Sequence, residues 1–119
     1  MDTEEIRSLL RRCWSPDSSS QWSAQNPARG QCNATALVLH DHFGGEILKT
    51  PFEGQWHFYN RIGDRVCDLT ADQFSSPPAY LDLPSSRDEA LAGTTPEQYK
   101  NLAERFADAL AQSCSEQRP

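Results

Sequence analysis

The sequence has no long apolar run, no stripe of basic residues and no closely spaced pair of cysteines. Because no apolar run approaches the ~20 residues of a membrane-spanning helix, we do not expect a membrane protein. The net charge is −6 and Lys and Arg are not clustered, which argues against a nucleic-acid partner. The four cysteines form no CxxC pair, so neither a structural metal site nor a cofactor is expected.

The first five residues are acidic and lack the basic and apolar regions of a signal peptide. We therefore expect a cytoplasmic protein whose cysteines are reduced. The chain has 119 residues, close to the commonest domain size, and a chain of this length can bury a hydrophobic core without cross-links. Residues 1–119 are accordingly expected to form a single domain.

Hydrophobic residues at helical spacing predict three main helices. One helix contains residues 6–13, and a second covers residues 31–43, where Gly44-Gly45 supplies a stop. The third follows Thr95 and Pro96, with Gln98 completing a capping box. A short additional helix is expected near residues 87–91.

The strand signals lie in the middle of the chain. Residues 46–50 are expected to form one short strand, and residues 55–62 and 65–69 a hairpin around Gly63-Asp64. Residues 75–95 are rich in proline, serine and charge and are expected to run over the surface. The predicted fold class is α+β, with helices packed on a small, mainly antiparallel sheet.

Three residues could form an activated thiol site. The tripeptide Gly30-Gln31-Cys32 places a cysteine at the start of a predicted helix, and His57 and Asp68 follow on predicted strands. A thiol nucleophile needs a base, and the base needs an acid that orients it. We therefore assign Cys32 as the nucleophile, His57 as general base and acid, and Asp68 as the orienting acid.

The parity of the predicted hairpin allows His57 and Asp68 to meet. If Gly63 and Asp64 form a two-residue loop, Asp68 faces Tyr59 and lies diagonally from His57 on the same face. Any loop with an even number of residues keeps the two side chains on one face, whereas an odd loop without a bulge separates them. Asp64 and Asp72 are alternative acids, and Asp68 could instead pair with an arginine.

The start of the predicted helix suits a reactive thiol. The partial positive charge of a helix amino terminus favours the thiolate of Cys32 over its thiol. The backbone N–H of Cys32 has no partner within the helix and could donate to an oxyanion. A second donor, or a substrate contact, could come from Gln31, Asn26 or the indole N–H of Trp22.

Several segments resemble the YunG-like family of small bacterial proteins. The resemblance is carried by residues 22–37, 45–50, 57–61, 68–70 and 73–74. A more distant resemblance is to the transglutaminase-like branch of papain-like folds, in which Gly-Gln-Cys opens a helix and His and Asp follow on successive strands. That resemblance implies a papain/transglutaminase-like architecture and acyl transfer, or hydrolysis of amides, through a thioester.

Two other interpretations compete with a thiol enzyme acting on an amide or ester substrate. One is a non-catalytic binding or regulatory domain that retains a papain-like fold, since a short chain leaves few residues to build a substrate cleft. The other is a metal-dependent hydrolase that uses Cys32, His57 and either His40 or His42. The latter is disfavoured because His40 and His42, two residues apart on a helix, do not share a face.

Overall fold

The computed structural model describes the backbone of residues 2–116 and the side chains of residues 2–113. The described part contains four α-helices, four strands and one 3₁₀ turn, in an α+β arrangement. The helices are α1 (Thr3–Cys13), α2 (Cys32–Phe43), α3 (Arg87–Leu91) and α4 (Pro96–Glu116). The strands are β1 (Glu46–Phe52), β2 (Gln55–Ile62), β3 (Arg65–Cys67) and β4 (Leu83–Pro84), and the 3₁₀ turn covers Ala71–Gln73. No helix within residues 2–116 is long and apolar enough to cross a bilayer.

The ends of the helices follow local capping chemistry. The Asp2 side chain accepts the backbone N–H of Glu5 at 2.9 Å and caps α1. At the start of α4, Thr95 Oγ1 accepts the N–H of Gln98 at 3.1 Å, and Gln98 Oε1 accepts the N–H of Thr95 at 3.2 Å. These two reciprocal bonds are the predicted capping box.

The four strands form an antiparallel sheet in the order β3-β2-β1-β4. Ile62 pairs with Arg65, which confirms the two-residue loop at Gly63-Asp64 and the predicted register. Strand β3 ends at Cys67, earlier than predicted. It ends there because Asp68 Oδ1 accepts the backbone N–H of Thr70 at 3.2 Å, and this bond begins a turn.

Strand β1 is longer than predicted. It continues through Pro51 to Phe52, and a two-residue turn at Glu53-Gly54 connects it to β2. Both turn residues have positive φ, 51° for Glu53 and 78° for Gly54, as tight hairpin turns require. The longer β1 pairs with β2 along its whole length and brings Phe52 next to Gln55.

The helices pack on one another and on the sheet. The main core lies between α1, α2 and α4 and includes the fully buried Leu10, Leu102 and Phe106. A second cluster joins α2 to the sheet through Leu37, Ile47 and Phe58, among others. Asn60 Nδ2 donates to the carbonyl of Ala36 at 3.0 Å, which ties β2 to α2 by a buried hydrogen bond. The amino end of α2 is thereby held beside β2.

Residues 79–82, here called the strap, cross the sheet next to Thr50 and Tyr59. The buried Thr50 hydroxyl donates to the carbonyl of Ala79 at 2.9 Å and accepts the N–H of Leu81 at 3.1 Å. The Tyr59 hydroxyl donates to Asp82 Oδ1 and accepts the N–H of Asp82, both at 2.8 Å. Four hydrogen bonds to two side chains of the sheet thus order this irregular segment.

Candidate active site

Cys32 is the first residue of α2 and is partly exposed. The preceding turn depends on Gly30, which has φ +73° and approaches Ser19 so closely that an added Cβ would lie 2.4 Å from Ser19 Oγ. Gln31 occupies the N-cap position without making a side-chain capping bond. The N–H groups of the first turn are therefore left uncapped by that side chain.

His57 and Asp68 meet as the hairpin register predicts. His57 Nε2 lies 2.6 Å from Asp68 Oδ2, and only 3% of the His57 and 7% of the Asp68 side chain is exposed. The hydroxyl of Tyr80 donates to the same Oδ2 at 2.7 Å, and Thr70 donates to Oδ1 through its N–H and its hydroxyl. The carboxylate is thus held by hydrogen bonds to both of its oxygens.

The surroundings of His57 favour its protonated form. Burial by itself lowers the pKa of His57, but the hydrogen bond and charge of Asp68, together with the influence of the nearby Cys32, outweigh burial and raise the pKa to about 9. At neutral pH the imidazole is therefore an imidazolium. Since Nε2 is engaged by Asp68, Nδ1 is the ring nitrogen left for the thiol.

The Cys32 sulfur has a second polar neighbour in Asn33. The thiol donates to Asn33 Oδ1 at 3.3 Å. The Asn33 amide is oriented by its Nδ2, which donates to the carbonyl of Ala90 in α3 at 3.0 Å. Gly93 leaves room for this amide, because an added Cβ there would lie 2.3 Å from Asn33 Nδ2. The thiol is therefore hydrogen-bonded to the amide oxygen of Asn33, and it lines one cavity together with the His57 imidazole.

The two alternative partners of His57, Asp72 and Asp64, do not contact it in the structure. Asp72 pairs with Arg11 at 2.9 Å, and Asp64 lies in the exposed turn between β2 and β3. Arg61 pairs with Glu46 at 2.7 Å. Of the three candidate acids, Asp68 is the one hydrogen-bonded to His57.

The thiol and the imidazole open onto a groove. Cys32 and His57 line a cavity of about 320 Å³, together with Asn33, Trp56 and other residues. A neighbouring cavity of about 430 Å³ shares part of this lining and extends the groove. The shared residues are Gln21, Phe52, Gln55, Gln73 and Phe74. The part of the groove that both cavities share therefore combines three carboxamides with two aromatic rings, and the charged Arg29 and Glu53 line the neighbouring cavity.

The structure places the three proposed oxyanion donors away from the lining of the thiol cavity. The Gln31 side chain is fully buried, and its amide has no hydrogen-bond partner among the described residues. The indole N–H of Trp22 is likewise buried without a partner in the described part of the chain. Asn26 lines the neighbouring cavity and donates through Nδ2 to the carbonyl of Gln73 at 3.1 Å.

The histidines of α2 take part in other contacts. His40 Nδ1 accepts from Arg87 at 3.0 Å, and the His42 ring packs edge-on against Phe106. Within the residues that the structure describes, no group of three or more His, Cys, Asp or Glu side chains is arranged to hold a metal ion.

Sequence reasoning missed three residues of the site: Tyr80, Asn33 and Gln73. Tyr80 lies in a segment without periodicity, and no local pattern indicates that it reaches Asp68. Asn33 and Gln73 could have been considered from the sequence, because Asn33 directly follows Cys32 and Gln73 lies within a segment that carries the family resemblance. Gln73 Nε2 donates to Thr70 Oγ1 at 3.0 Å, and its Oε1 accepts the N–H of Gly30 at 3.3 Å.

Comparisons with known proteins point to one family. A family model described as "YunG protein" matches residues 2–111. A protein of Bacillus subtilis (strain 168), named "Uncharacterized protein YunG", is 48% identical over 104 residues, which cover 87% of this chain and 90% of the relative. A search of solved structures finds no significant match.

Proposed function

We propose that this chain, which belongs to the YunG family, is a cysteine-dependent acyltransferase or amide hydrolase. One observation carries the proposal: the His57 imidazole, 2.6 Å from the Asp68 carboxylate, and the Cys32 thiol line the same open groove. This arrangement supports acyl transfer through a thioester, because that reaction needs a thiol nucleophile, a base and an acid that orients the base.

We further propose that the architecture is of the papain/transglutaminase type. Three features support this: a helix that begins at Cys32, a histidine on a strand beside that helix, and an aspartate just after the next strand.

The described cysteines Cys13, Cys32 and Cys67 are free thiols, which suits a cytoplasmic location.

In the first half of the reaction, the Cys32 thiolate attacks the carbonyl carbon of an amide or ester. The carbonyl π electrons move to oxygen, and in this proposal the N–H groups of the first turn of α2 stabilise that oxyanion. When the tetrahedral intermediate collapses, the bond to the leaving group breaks, and the His57 imidazolium gives its proton to the departing amine or alcohol. The products of this half are a thioester on Cys32 and a neutral His57.

In the second half, water or an amine attacks the thioester, and His57 takes the proton of the attacking group. Cys32 then leaves as the thiolate, and Asp68 stabilises the imidazolium that forms again. The carboxamides of Gln21, Gln55 and Gln73 can each donate and accept a hydrogen bond, so the part of the groove that they line suits a polar acyl chain.

A non-catalytic binding domain is the second candidate. The hydrogen bond from the Cys32 thiol to Asn33 Oδ1 favours this candidate, because a carbonyl oxygen stabilises a thiol and repels a thiolate. In such a domain the groove would bind a polar segment, and Cys32 would form no covalent bond with it.

The pH dependence of alkylation by iodoacetamide, measured by mass spectrometry, tests the proposal. An ordinary thiol, with a pKa of about 8.5, is almost wholly protonated at pH 6. If Cys32 forms a thiolate–imidazolium pair, we expect it to react at pH 6 at least ~10 times faster than free cysteine, and His57→Ala to abolish this excess. Cys67→Ser, which keeps Cys32 and His57, is the matched control and should react like the wild type.

Alkylation of Cys32 that follows an ordinary thiol titration in both the wild type and His57→Ala would refute the thiol-enzyme proposal. With reactivity established, a panel of amides and esters assayed on the wild type and Cys32→Ala identifies the substrate class. Loss of turnover in Cys32→Ala is the expected result.

A further inference from the structure

The Asp68 carboxylate has a second strong donor on the oxygen that faces His57. Tyr80 Oη donates to Oδ2 at 2.7 Å, and His57 Nε2 lies 2.6 Å from the same atom. We propose that Tyr80 is a positioning residue that orients the Asp68 carboxylate. Its hydrogen bond also limits how strongly this carboxylate stabilises the protonated form of His57. This inference goes beyond the proposed function and depends on it only for its consequence in catalysis.

The place of Tyr80 is set by the strap. Ala79 and Leu81, on either side of it, are both hydrogen-bonded to the buried Thr50 hydroxyl. The Tyr80 ring packs edge-on against Tyr59, with the ring centroids 5.0 Å apart, and Tyr59 in turn stacks on His57. The phenol is therefore aimed at Asp68 by contacts that do not involve Asp68 itself.

The chemical effect follows from the shared oxygen. A phenol O–H is a neutral donor that takes up part of the negative charge on Oδ2, so that less of this charge remains to stabilise the imidazolium. Without Tyr80 the carboxylate would bind the imidazolium proton more tightly. His57 would then give that proton to a leaving group less readily.

The other titratable groups around the pair do not compete in this role. Burial raises the pKa of Cys67 and Tyr80, and Asp68 acts in the same direction through its charge on Cys67 and through its hydrogen bond on Tyr80. Burial and the bond to Asp82 raise the pKa of Tyr59. Tyr59 and Tyr80 keep their protons in the range where His57 titrates. Besides Asp68, the remaining charge partner of the His57 imidazole is Cys32.

The test is the NMR titration of His57 in protein labelled with ¹⁵N-histidine, in the wild type and Tyr80→Phe. The chain has three histidines, and His57→Gln identifies the signal of His57. We expect Tyr80→Phe to move the midpoint upward by about 0.5–1 pH unit, the size of one lost hydrogen bond to a shared charge. Tyr99→Phe, which removes a phenol hydroxyl remote from Asp68, is the matched control and should leave the midpoint unchanged.

An unchanged midpoint in Tyr80→Phe, or a downward shift, would overturn the inference. Should Tyr80→Phe fail to fold, the hydroxyl proton of Tyr80 in the wild type provides a second measurement. Its resonance is expected to move as His57 loses its proton, and a resonance that stays constant through that titration would equally overturn the inference. A reactive Cys32 with an unmoved His57 would reject this inference alone, whereas an unreactive Cys32 with a shifted His57 would reject only the proposed function.

Discussion

Two clusters of this molecule contain the same three polar residue types, a histidine, an aspartate and a tyrosine, in different surroundings. The site cluster consists of His57, Asp68 and Tyr80. The Arg87 cluster consists of His40, Asp41, Tyr99 and Arg87, which lies 2.9 Å from Asp41, 3.0 Å from His40 and 3.0 Å from Tyr99. The ion pair of the site cluster is almost fully buried, whereas the Arg87 and Asp41 side chains are about one-third exposed.

The clusters differ most in the cation that balances their aspartate. In the Arg87 cluster the cation is a guanidinium; burial alone would lower the pKa of Arg87, but Tyr99 and Asp41 raise it, so the positive charge is permanent. In the site cluster the cation is an imidazolium, which exists only while His57 holds its proton. Similar polar residues thus form a permanently charged, partly exposed ion pair in the Arg87 cluster and a titratable, buried ion pair in the site cluster.

The largest expected difference is the response to removal of the aspartate charge. Asp68→Asn leaves His57 buried without its counter-charge, and we expect a loss of about 4 kcal/mol in the free energy of unfolding at pH 7. Asp41→Asn, the matched change in the exposed cluster, is expected to cost at most about 1 kcal/mol. Urea denaturation measures both values, and equal losses would contradict the distinction between the clusters.

The second difference is the pH dependence of stability. Folded His57, with its pKa raised to about 9, keeps a proton that the unfolded chain releases near pH 6.5. Its stabilisation is therefore complete below pH 6.5 and is lost as the pH rises through 9, a change of at most about 3 kcal/mol.

Urea denaturation across this pH range checks the expected decline. His57→Gln should remove this part of the decline, because glutamine does not titrate. Tyr99→Phe, in the Arg87 cluster, should retain the wild-type decline. A wild-type decline no steeper than that of His57→Gln would show that His57 does not bind its proton more tightly in the folded protein.

The smallest expected effect is the loss of stability when Arg87 is replaced by lysine. Arg87→Lys keeps the charge but not the planar set of donors that reaches Asp41, Tyr99 and His40 together, and we expect a loss of about 1 kcal/mol. Because the pair is partly exposed, this loss should shrink in about 0.5 M NaCl, when measured by urea denaturation. If the loss in the free energy of unfolding does not depend on salt, the Arg87 cluster behaves like the buried pair of His57 and Asp68, which contradicts the expected difference.

The contact between His57 and Asp68 could be predicted because it follows from local rules. Gly63-Asp64 favours a two-residue turn, the turn determines the register, and the register puts both side chains on one face. The start of α2 at Cys32 is equally local, since it follows a glycine with positive φ. The three residues of the candidate site could therefore be identified from the sequence.

The strap and the surroundings of the thiol could not be predicted in this way. Tyr80 reaches Asp68 because Thr50 and Tyr59 bind backbone groups 23 to 31 residues away, and no periodic pattern records such bonds. The amide of Asn33 is likewise oriented by Ala90, 57 residues later in the chain. These contacts depend on which buried side chains have a hydroxyl or amide group that can form a hydrogen bond. Which backbone groups lie close enough to form it is known only from the tertiary structure of the sheet and α3.

The bonds of the strap also make its opening measurable. The amide protons of Leu81 and Asp82 are donated to side-chain hydroxyls of the sheet. Their exchange with deuterated solvent therefore requires the strap to lift from the sheet, while the amides of β1 and β2 can stay protected. The exchange rates of these two protons relative to the strands would give the free energy of undocking the strap, separately from that of unfolding the molecule.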